Sequence, residues 1–476
     1  MKLRDYQLEA EKDIYNYIKN PKEKDPVVVV QPCGAGKSLL IAVTAKMTDK
    51  PVLVLQPSKE LLEQNYDKFI HLGGEAYLYS ASLGVKEKGK TTYGTPKTVI
   101  TDVKLFKDVE VVIIDECHYH CSRGSVIHDI LKEVKPKKVI GMTATPCMLH
   151  TTMATGTRLL MLPSTSKSIF KKIIHVTQVQ HLVKNNYWSD LEYFQESFND
   201  KFLVKNSSGN DFTEDSIVKS YEANDTNGKI KETFHKMSKK GIKHILVFVP
   251  TIDIGEELVN KHLKDKVEMI HAKTPKKERK RILEDFKSGV LKGVVTVDVL
   301  TTGFDFPELD GIICARSTNS FAIFYQMLGR GVRIHKNKEK CTIVDLCGIV
   351  KRFGKVEDIV IEDFKQHGWA IFCSGDYVIT GYDLSSNPIT REEYLKMLNK
   401  KSTNYRKGAK GPIKNFWFGK HRGLPLERVP INYMSWMLAN EEFNWYFRSD
   451  IPKNSVDEFK KELLEIIRNE QHRQIN

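Results

Sequence analysis

Lys37 and Ser38 close the stretch Gln31-Pro32-Cys33-Gly34-Ala35-Gly36-Lys37-Ser38, whose residue types suit phosphate chemistry. Gly34 and Gly36, with Ala35 between them, let backbone N–H groups turn inward on an anion, while Lys37 can reach β- and γ-phosphates and Ser38 can ligate Mg2+. The general phosphate loop carries a further glycine where this chain has Gln31. Downstream, Val111-Val112-Ile113-Ile114 runs into Asp115-Glu116-Cys117-His118. Burying two adjacent carboxylates costs several kcal/mol unless a cation or a chemical role compensates them. The phosphate loop gives them such a role. Asp115 can hold the Mg2+ bound by Ser38, and Glu116 can orient and deprotonate an attacking water. Further on, Gln326-Met327-Leu328-Gly329-Arg330-Gly331-Val332-Arg333 sets two arginines three residues apart, on one face if helical. Arginines so placed can neutralise charge spreading over a γ-phosphoryl group, an effect worth on the order of 10³–10⁵ in rate.

Parallel strands must bring these groups together. Val27–Val30 and Val111–Ile114 are β-branched runs of the kind buried on both faces of a parallel sheet. Pro51–Leu55 and Lys138–Met142 read as further strands, and open α/β sheets bind ligands at the carboxyl ends of such strands. A helix is expected from Leu3 to Ile18 and another from about Ser38. After Gln56-Pro57, a helix N-terminus offers Ser58 and free N–H groups to a nucleic-acid backbone phosphate. Thr143 and Thr145 put two hydroxyls at a strand end, able to link the nucleotide site to the rest of the molecule. A second α/β unit follows, with strands at Ile245–Val249, Met269–His271 and Val294–Leu300 and a basic helix, expected to be solvated, from Lys276. The fold class is therefore α/β: two tandem parallel-sheet lobes plus a small C-terminal α+β module.

The chain of 476 residues, 41% hydrophobic and 28% charged, is too long for one core and is not disordered in composition. No apolar run approaches the ~20 residues of a membrane helix, so a cytoplasmic protein with no membrane partner is expected. Eight cysteines without a C-x-x-C pair indicate neither a zinc ribbon nor a disulfide framework. The net charge of +14 favours a polyanionic partner, most simply nucleic acid.

Taken in order, Leu3-Arg4-x-Tyr6-Gln7, Pro32-x-Gly34-x-Gly36-Lys37-Ser38, Pro57-x-x-Glu60-Leu61-x-x-Gln64, Asp115-Glu116-Cys117-His118, Thr143-Ala144-Thr145-Pro146, Thr301-Thr302-Gly303-Phe304-Asp305 and Gln326-x-x-Gly329-Arg330-x-x-Arg333 resemble the motifs of superfamily 2 helicases. The acidic box is of the DExH rather than the DEAD kind, which tilts the resemblance toward DNA motors. The continuation through Val344-Asp345-Leu346-Cys347-Gly348 is similar to bacterial RadD-type and type III restriction-like (ResIII) helicases, phage members included. Those relatives carry a cysteine-rich zinc element after the second lobe; only Cys373 stands there here, and no zinc is expected. The resemblance implies two RecA-like lobes with ATP and Mg2+ between them. It implies that Arg4 and Gln7 contact adenine, that Gly303 and Asp305 reach the nucleotide from the second lobe, and that Gln326, Arg330 and Arg333 complete the site. It implies strand-phosphate contacts for Ser58, Thr101, Thr251 and Thr301, and a relay role for His118 toward the Gln326 region.

Expected boundaries are 1–165 for the first lobe, 166–225 for a linker or extension, 226–365 for the second lobe, 366–412 for a connecting basic segment and 413–476 for the accessory module. From Lys396 to Leu426 there are nine Lys/Arg and no acid, interleaved with Tyr405, Phe416, Trp417 and Phe418. That pattern suits backbone contact with base stacking, or equally a basic linker leading into a module with an aromatic core. The stretch from Phe418 to Trp436 resembles a small C-terminal module of some DnaQ-like exonucleases, without a nuclease carboxylate cluster. The expected activity is an ATP-dependent DNA helicase or translocase working with replication or recombination proteins. An RNA remodeller, a duplex translocase that leaves strands paired, and a non-enzymatic scaffold are the alternatives.

Overall fold

The computed structural model describes residues 3–119, 122–152, 156–165, 167–206, 211–263, 266–297, 306–364, 368–382, 389–406, 431–439, 459–461 and 463–467. The chain divides into two units, one formed by 1–149 with 159–381 and the other by 150–158 with 382–476.

The first unit holds two α/β lobes of RecA-like design. In the first lobe eight strands lie in the order Lys172–Val176, Val27–Val30, Lys138–Thr143, Val111–Asp115, Val52–Leu55, Thr91–Gly94, Tyr77–Ser80 and Val85–Lys86. All neighbours are parallel except the last pair. The central strands are buried at every position, the pattern of a sheet covered on both faces. The phosphate-loop strand and the acidic strand flank Lys138–Thr143, so their carboxyl ends emerge side by side with that of the Thr143 strand. The core is built by the valines and isoleucines of these strands against Ala10, Ile14, Leu40, Ile41, Leu62 and Phe69 of the covering helices.

Six parallel strands form the second lobe, in the order Asp190–Gln195, Lys340–Asp345, Gly311–Cys314, Ile245–Phe248, Gly293–Thr296 and Val267–Ile270. A short antiparallel sheet, Val360–Asp363, Trp369–Cys373 and Tyr377–Val378, follows it.

The stretch 166–225, expected as a linker or extension, gives an edge strand to each sheet: Lys172–Val176 to the first and Asp190–Gln195 to the second. Neither strand is buried throughout, and this dilutes the apolar run that marks an inner strand. The arginine segment is not a helix face, because the helix Phe321–Leu328 stops before it. Gly329 and Gly331 follow, where a Cβ would come within 2.6 Å of Cys33 Cβ and 2.7 Å of Cys341 Sγ respectively. The basic helix Lys276–Ser288 buries only Ile282 and Phe286 and presents a solvated charged face, on which exposed Arg281 pairs with Glu268, Glu278 and Asp285.

In the second unit the described residues include the helices Arg391–Arg406 and Ile431–Ala439. Phe459, Leu463 and Ile467 are buried at helical spacing, the pattern of an amphipathic helix. Phe416, Trp417 and Phe418 lie outside the described residues. No helix among the described residues is long and apolar enough to cross a membrane.

Candidate nucleotide site

Gly34 and Gly36 both adopt left-handed backbone (φ +74° and +81°), which reverses the chain between the buried strand Val27–Val30 and the helix Lys37–Lys46. Side chains are excluded from this loop for a second reason. A Cβ on Gly34 would come within 2.9 Å of Val332 Cγ2, and one on Gly36 within 2.4 Å of Gln7 Nε2. The loop is thus packed on one side against the helix Asp5–Lys19 and on the other against the arginine segment of the second lobe.

Gln7 ties that first helix to the loop. Its Nε2 donates to the Ala35 carbonyl (2.9 Å), its Oε1 accepts from the backbone N–H of Arg4 (3.0 Å), and the Tyr6 hydroxyl donates to the same Ala35 carbonyl (3.0 Å). One amide proton and one lone pair of Gln7 remain for a base edge. The Arg4 guanidinium lies 4.6 Å from the centre of the Tyr187 ring, a cation–π contact. Gln31 lines the edge of the same cavity, and its side chain is held there by its Nε2 donating to Thr177 Oγ1 (2.9 Å). A side chain is therefore accommodated where the general loop has glycine.

At the tip of the acidic strand, Lys37 Nζ lies 2.8 Å from Asp115 Oδ1 and also pairs with Glu116 Oε1. Burial alone would depress the Lys37 ammonium, but the two carboxylates outweigh it and hold its pKa well above the ordinary lysine value. Burial raises Asp115 against the pull of Lys37. Asp115 also accepts from the Glu116 N–H (2.8 Å) and from Asn65 Nδ2 (3.0 Å). Glu116 itself sits at φ +45°, a strained backbone for a residue with a Cβ. Its Oε2 is buried with no hydrogen-bond partner and faces His118 Nδ1 at 3.5 Å. His118 Nδ1 lies 2.7 Å from Thr143 Oγ1, and burial followed by the charge of Lys37 lowers its pKa to about 3. The imidazole is neutral at ordinary pH.

Arg4, Gln7, Gly34, Gly36, Lys37, Ser38, Glu116, Arg330 and Arg333 all line one cavity of about 430 Å3. Groups from both ends of the first unit are thereby brought to one place. The donor set fits a magnesium nucleotide: an inward glycine loop at a helix N-terminus, hydroxyl and carboxylate oxygens for a hard cation, and a buried carboxylate oxygen awaiting a proton donor. Ser38 and Asp115 would hold Mg2+.

Other expected residues are placed differently. Gln326 is buried and does not line the cavity; the Tyr119 hydroxyl donates to its Oε1 (3.3 Å), so Tyr119, not His118, makes the link expected of His118. His118 instead packs on Tyr119, with ring centres 4.0 Å apart. Ser58 and Thr251 each cap a helix, accepting from Leu61 N and Ile254 N (both 3.3 Å), which leaves each hydroxyl proton for a phosphate. Thr101 donates within its own turn, to Thr98 O (2.7 Å) and toward Asp102 Oδ2, and is poorly placed for a strand. Thr143 is buried and accepts from the Thr145 N–H (3.0 Å), and Thr145 Oγ1 is buried with no partner. Thr301, Gly303 and Asp305 lie outside the described residues.

Sequence reading missed Lys68, which lines the cavity with Gln64 from the helix Lys59–His71. It missed Lys338 as well, whose buried ammonium donates to the carbonyls of Gly331 (2.6 Å) and Arg333 (2.7 Å) and so braces the arginine segment. Within Lys336-Asn337-Lys338-Glu339-Lys340 it reads as loop charge, and nothing local marks it out.

Residues 1–148 match the family described as type III restriction enzyme, res subunit (ResIII), and residues 228–335 match the helicase conserved C-terminal domain. The chain is 24% identical over 249 residues to IRC3 of Saccharomyces cerevisiae, provisionally named an ATP-dependent helicase, covering 50% of this chain and 34% of that one. It is also 24% identical over 331 residues to a 51.5 kDa protein of a Lactococcus phage, covering 67% and 65%. The chain thus spans less than two thirds of either relative. Among solved structures, the ATP-dependent Type ISP restriction-modification enzyme LlaBIII bound to DNA shares the fold, with a TM-score of 0.51 and 16% identity over 73% of this chain and 28% of that one. Two RecA-like lobes closed around a phosphate loop, a carboxylate pair and two arginines define a two-lobed P-loop NTPase. The chain thus carries a ResIII segment followed by a helicase C-terminal segment, the two motor segments of a superfamily 2 ResIII-like helicase.

Proposed function

We propose that the protein is an ATP-dependent DNA helicase or translocase, and that its hydrolytic site is the cavity between the two lobes. The observation that carries this reading is the convergence of Lys37 and Glu116 from one lobe with Arg330 and Arg333 from the other on a single cavity. In the described geometry Lys37 neutralises Asp115 and Glu116. A triphosphate in the loop competes for that ammonium, and Lys37 turning to it frees both carboxylates. Glu116 then orients a water and takes its proton as the water oxygen bonds to the γ-phosphorus and the bond to the bridging oxygen breaks, leaving ADP and phosphate. Arg330 and Arg333 neutralise the charge that builds on the γ-phosphoryl oxygens. Mg2+, when bound, neutralises the phosphate oxygens from the side of Ser38 and Asp115. Gln7 and Arg4 hold the base through the groups left to them.

Movement follows from the packing of the loop against the second lobe. Loss of the γ-phosphate removes what the arginines grip, and the Tyr119–Gln326 contact passes the change from the acidic box to the helix Phe321–Leu328. A preference for DNA is supported by the Asp-Glu-Cys-His box, by the matched restriction-enzyme family and by the DNA-bound state of LlaBIII. A role in repair, recombination or replication is the setting we propose. The test compares ATP turnover with single-stranded DNA, duplex DNA and RNA at one stated salt concentration, followed by strand displacement. Stimulation by RNA alone would overturn the DNA reading. Stimulation by duplex without displacement would favour a translocase.

A further inference from the structure

We infer that Asn65 is a positioning residue for the hydrolytic site, holding the Asp115 carboxylate and tying it to the helix that begins at Ser58. The inference rests on the proposed ATP-driven, nucleic-acid-dependent function. Asn65 has no solvent exposure, and its Nδ2 donates to Asp115 Oδ2 at 3.0 Å. Its own Oδ1 is buried with no hydrogen-bond partner. An amide that leaves one end unsatisfied in the interior is kept for what its other end does, since a buried orphan acceptor costs about 1–3 kcal/mol.

What that end does is set by the geometry of Asp115. Its Oδ1 is occupied by Lys37 Nζ and the Glu116 N–H, while Oδ2 receives Asn65. Once Lys37 turns to a phosphate, the Glu116 N–H and the Asn65 amide are the contacts left to fix the rotation of the carboxylate. The Glu116 contact comes from the adjacent residue in the chain, so Asn65 is the one anchored on a different element. That element is the helix Lys59–His71, capped by Ser58, whose remaining hydroxyl proton and N–H groups form the expected grip on a backbone phosphate. Asn65 stands two turns from that cap. A displacement of the helix on gripping a strand therefore moves the Asn65 amide and, through it, the carboxylate that would hold Mg2+.

The test uses the full chain carrying Asn65→Leu, with Asn65→Ala as a second variant should the first not fold and Asn65→Gln as the conservative replacement. Partners of this kind typically cost 10–100-fold in metal affinity or activity when removed. Mn2+ binding to protein saturated with ADP, followed calorimetrically, is expected to weaken about tenfold or more in Asn65→Leu and to recover in part in Asn65→Gln. In the same variant kcat falls by a similar factor, KM for ATP stays within about twofold, and stimulation by a single-stranded oligodeoxynucleotide shrinks. Wild-type Mn2+ affinity together with wild-type kcat and stimulation in a folded Asn65 variant would overturn the inference. A wild-type chain whose turnover no nucleic acid alters would defeat the functional reading instead, and the Mn2+ titration would still decide the role of Asn65.

Discussion

Lys37 carries two burdens, and they can be separated. In the described state it offsets two buried carboxylates; in the proposed reaction it meets the phosphates. Lys37→Ala should abolish turnover and also lower stability by roughly 3 kcal/mol in urea unfolding, because it leaves Asp115 and Glu116 adjacent without a cation. Glu116→Gln should abolish turnover, retain ATP binding and leave stability near that of the wild type, since it removes one of the two like charges. Equal destabilisation by both variants would contradict this division. His118 supplies a pH signature. In the unfolded chain its imidazole takes a proton near 6.5, whereas in the fold burial and Lys37 hold it neutral to about 3. The unfolded state binds more protons through that window, so stability falls as pH drops below about 6.5. Relative to His118→Asn, the wild type should lose about 2 kcal/mol between pH 7 and pH 5. Parallel stability curves for the two proteins would contradict the burial argument.

Two lysines show how elements are held to the site. Lys138 donates to the carbonyls of Tyr17 (2.7 Å), Asn20 (2.6 Å) and Glu23, gathering the last turn of the helix that presents Gln7 to the phosphate loop. Lys338 does the same for the arginine segment through Gly331 and Arg333. Lys138→Met should lower stability by about 2–4 kcal/mol, because it strands three carbonyls at a helix end. Lys338→Met should instead lower kcat by about tenfold with little change in KM, since the segment it braces acts on charge present only in the transition state. A change confined to KM would place the brace on ground-state binding. The bracing role of neither lysine was legible in the sequence. Their role depends on which carbonyls the fold leaves unsatisfied, and that is settled by tertiary packing rather than by neighbours in sequence.

At the scale of the molecule, the legible part of the sequence was the part in which chemistry constrains local type. The glycines, the Lys-Ser pair, the carboxylate pair and the buried runs Val27–Val30 and Val111–Ile114 announced the first sheet's logic and the phosphate end of the cavity. The edge strands Lys172–Val176 and Asp190–Gln195 were not legible, because half-exposed strands lose the continuous apolar signal. Nor was the replacement of His118 by Tyr119 at the inter-lobe contact, where the strained turn at Glu116 decides which of two neighbouring rings points across. Hydrolysis at this cavity, in the function proposed, answers to nucleic acid. Steady-state ATP turnover of the purified chain, with and without single-stranded DNA at fixed salt and beside Lys37→Ala, tests it most directly. The expected result is turnover that rises several-fold with DNA and vanishes in the variant; turnover indifferent to any nucleic acid, or undiminished in Lys37→Ala, would contradict it.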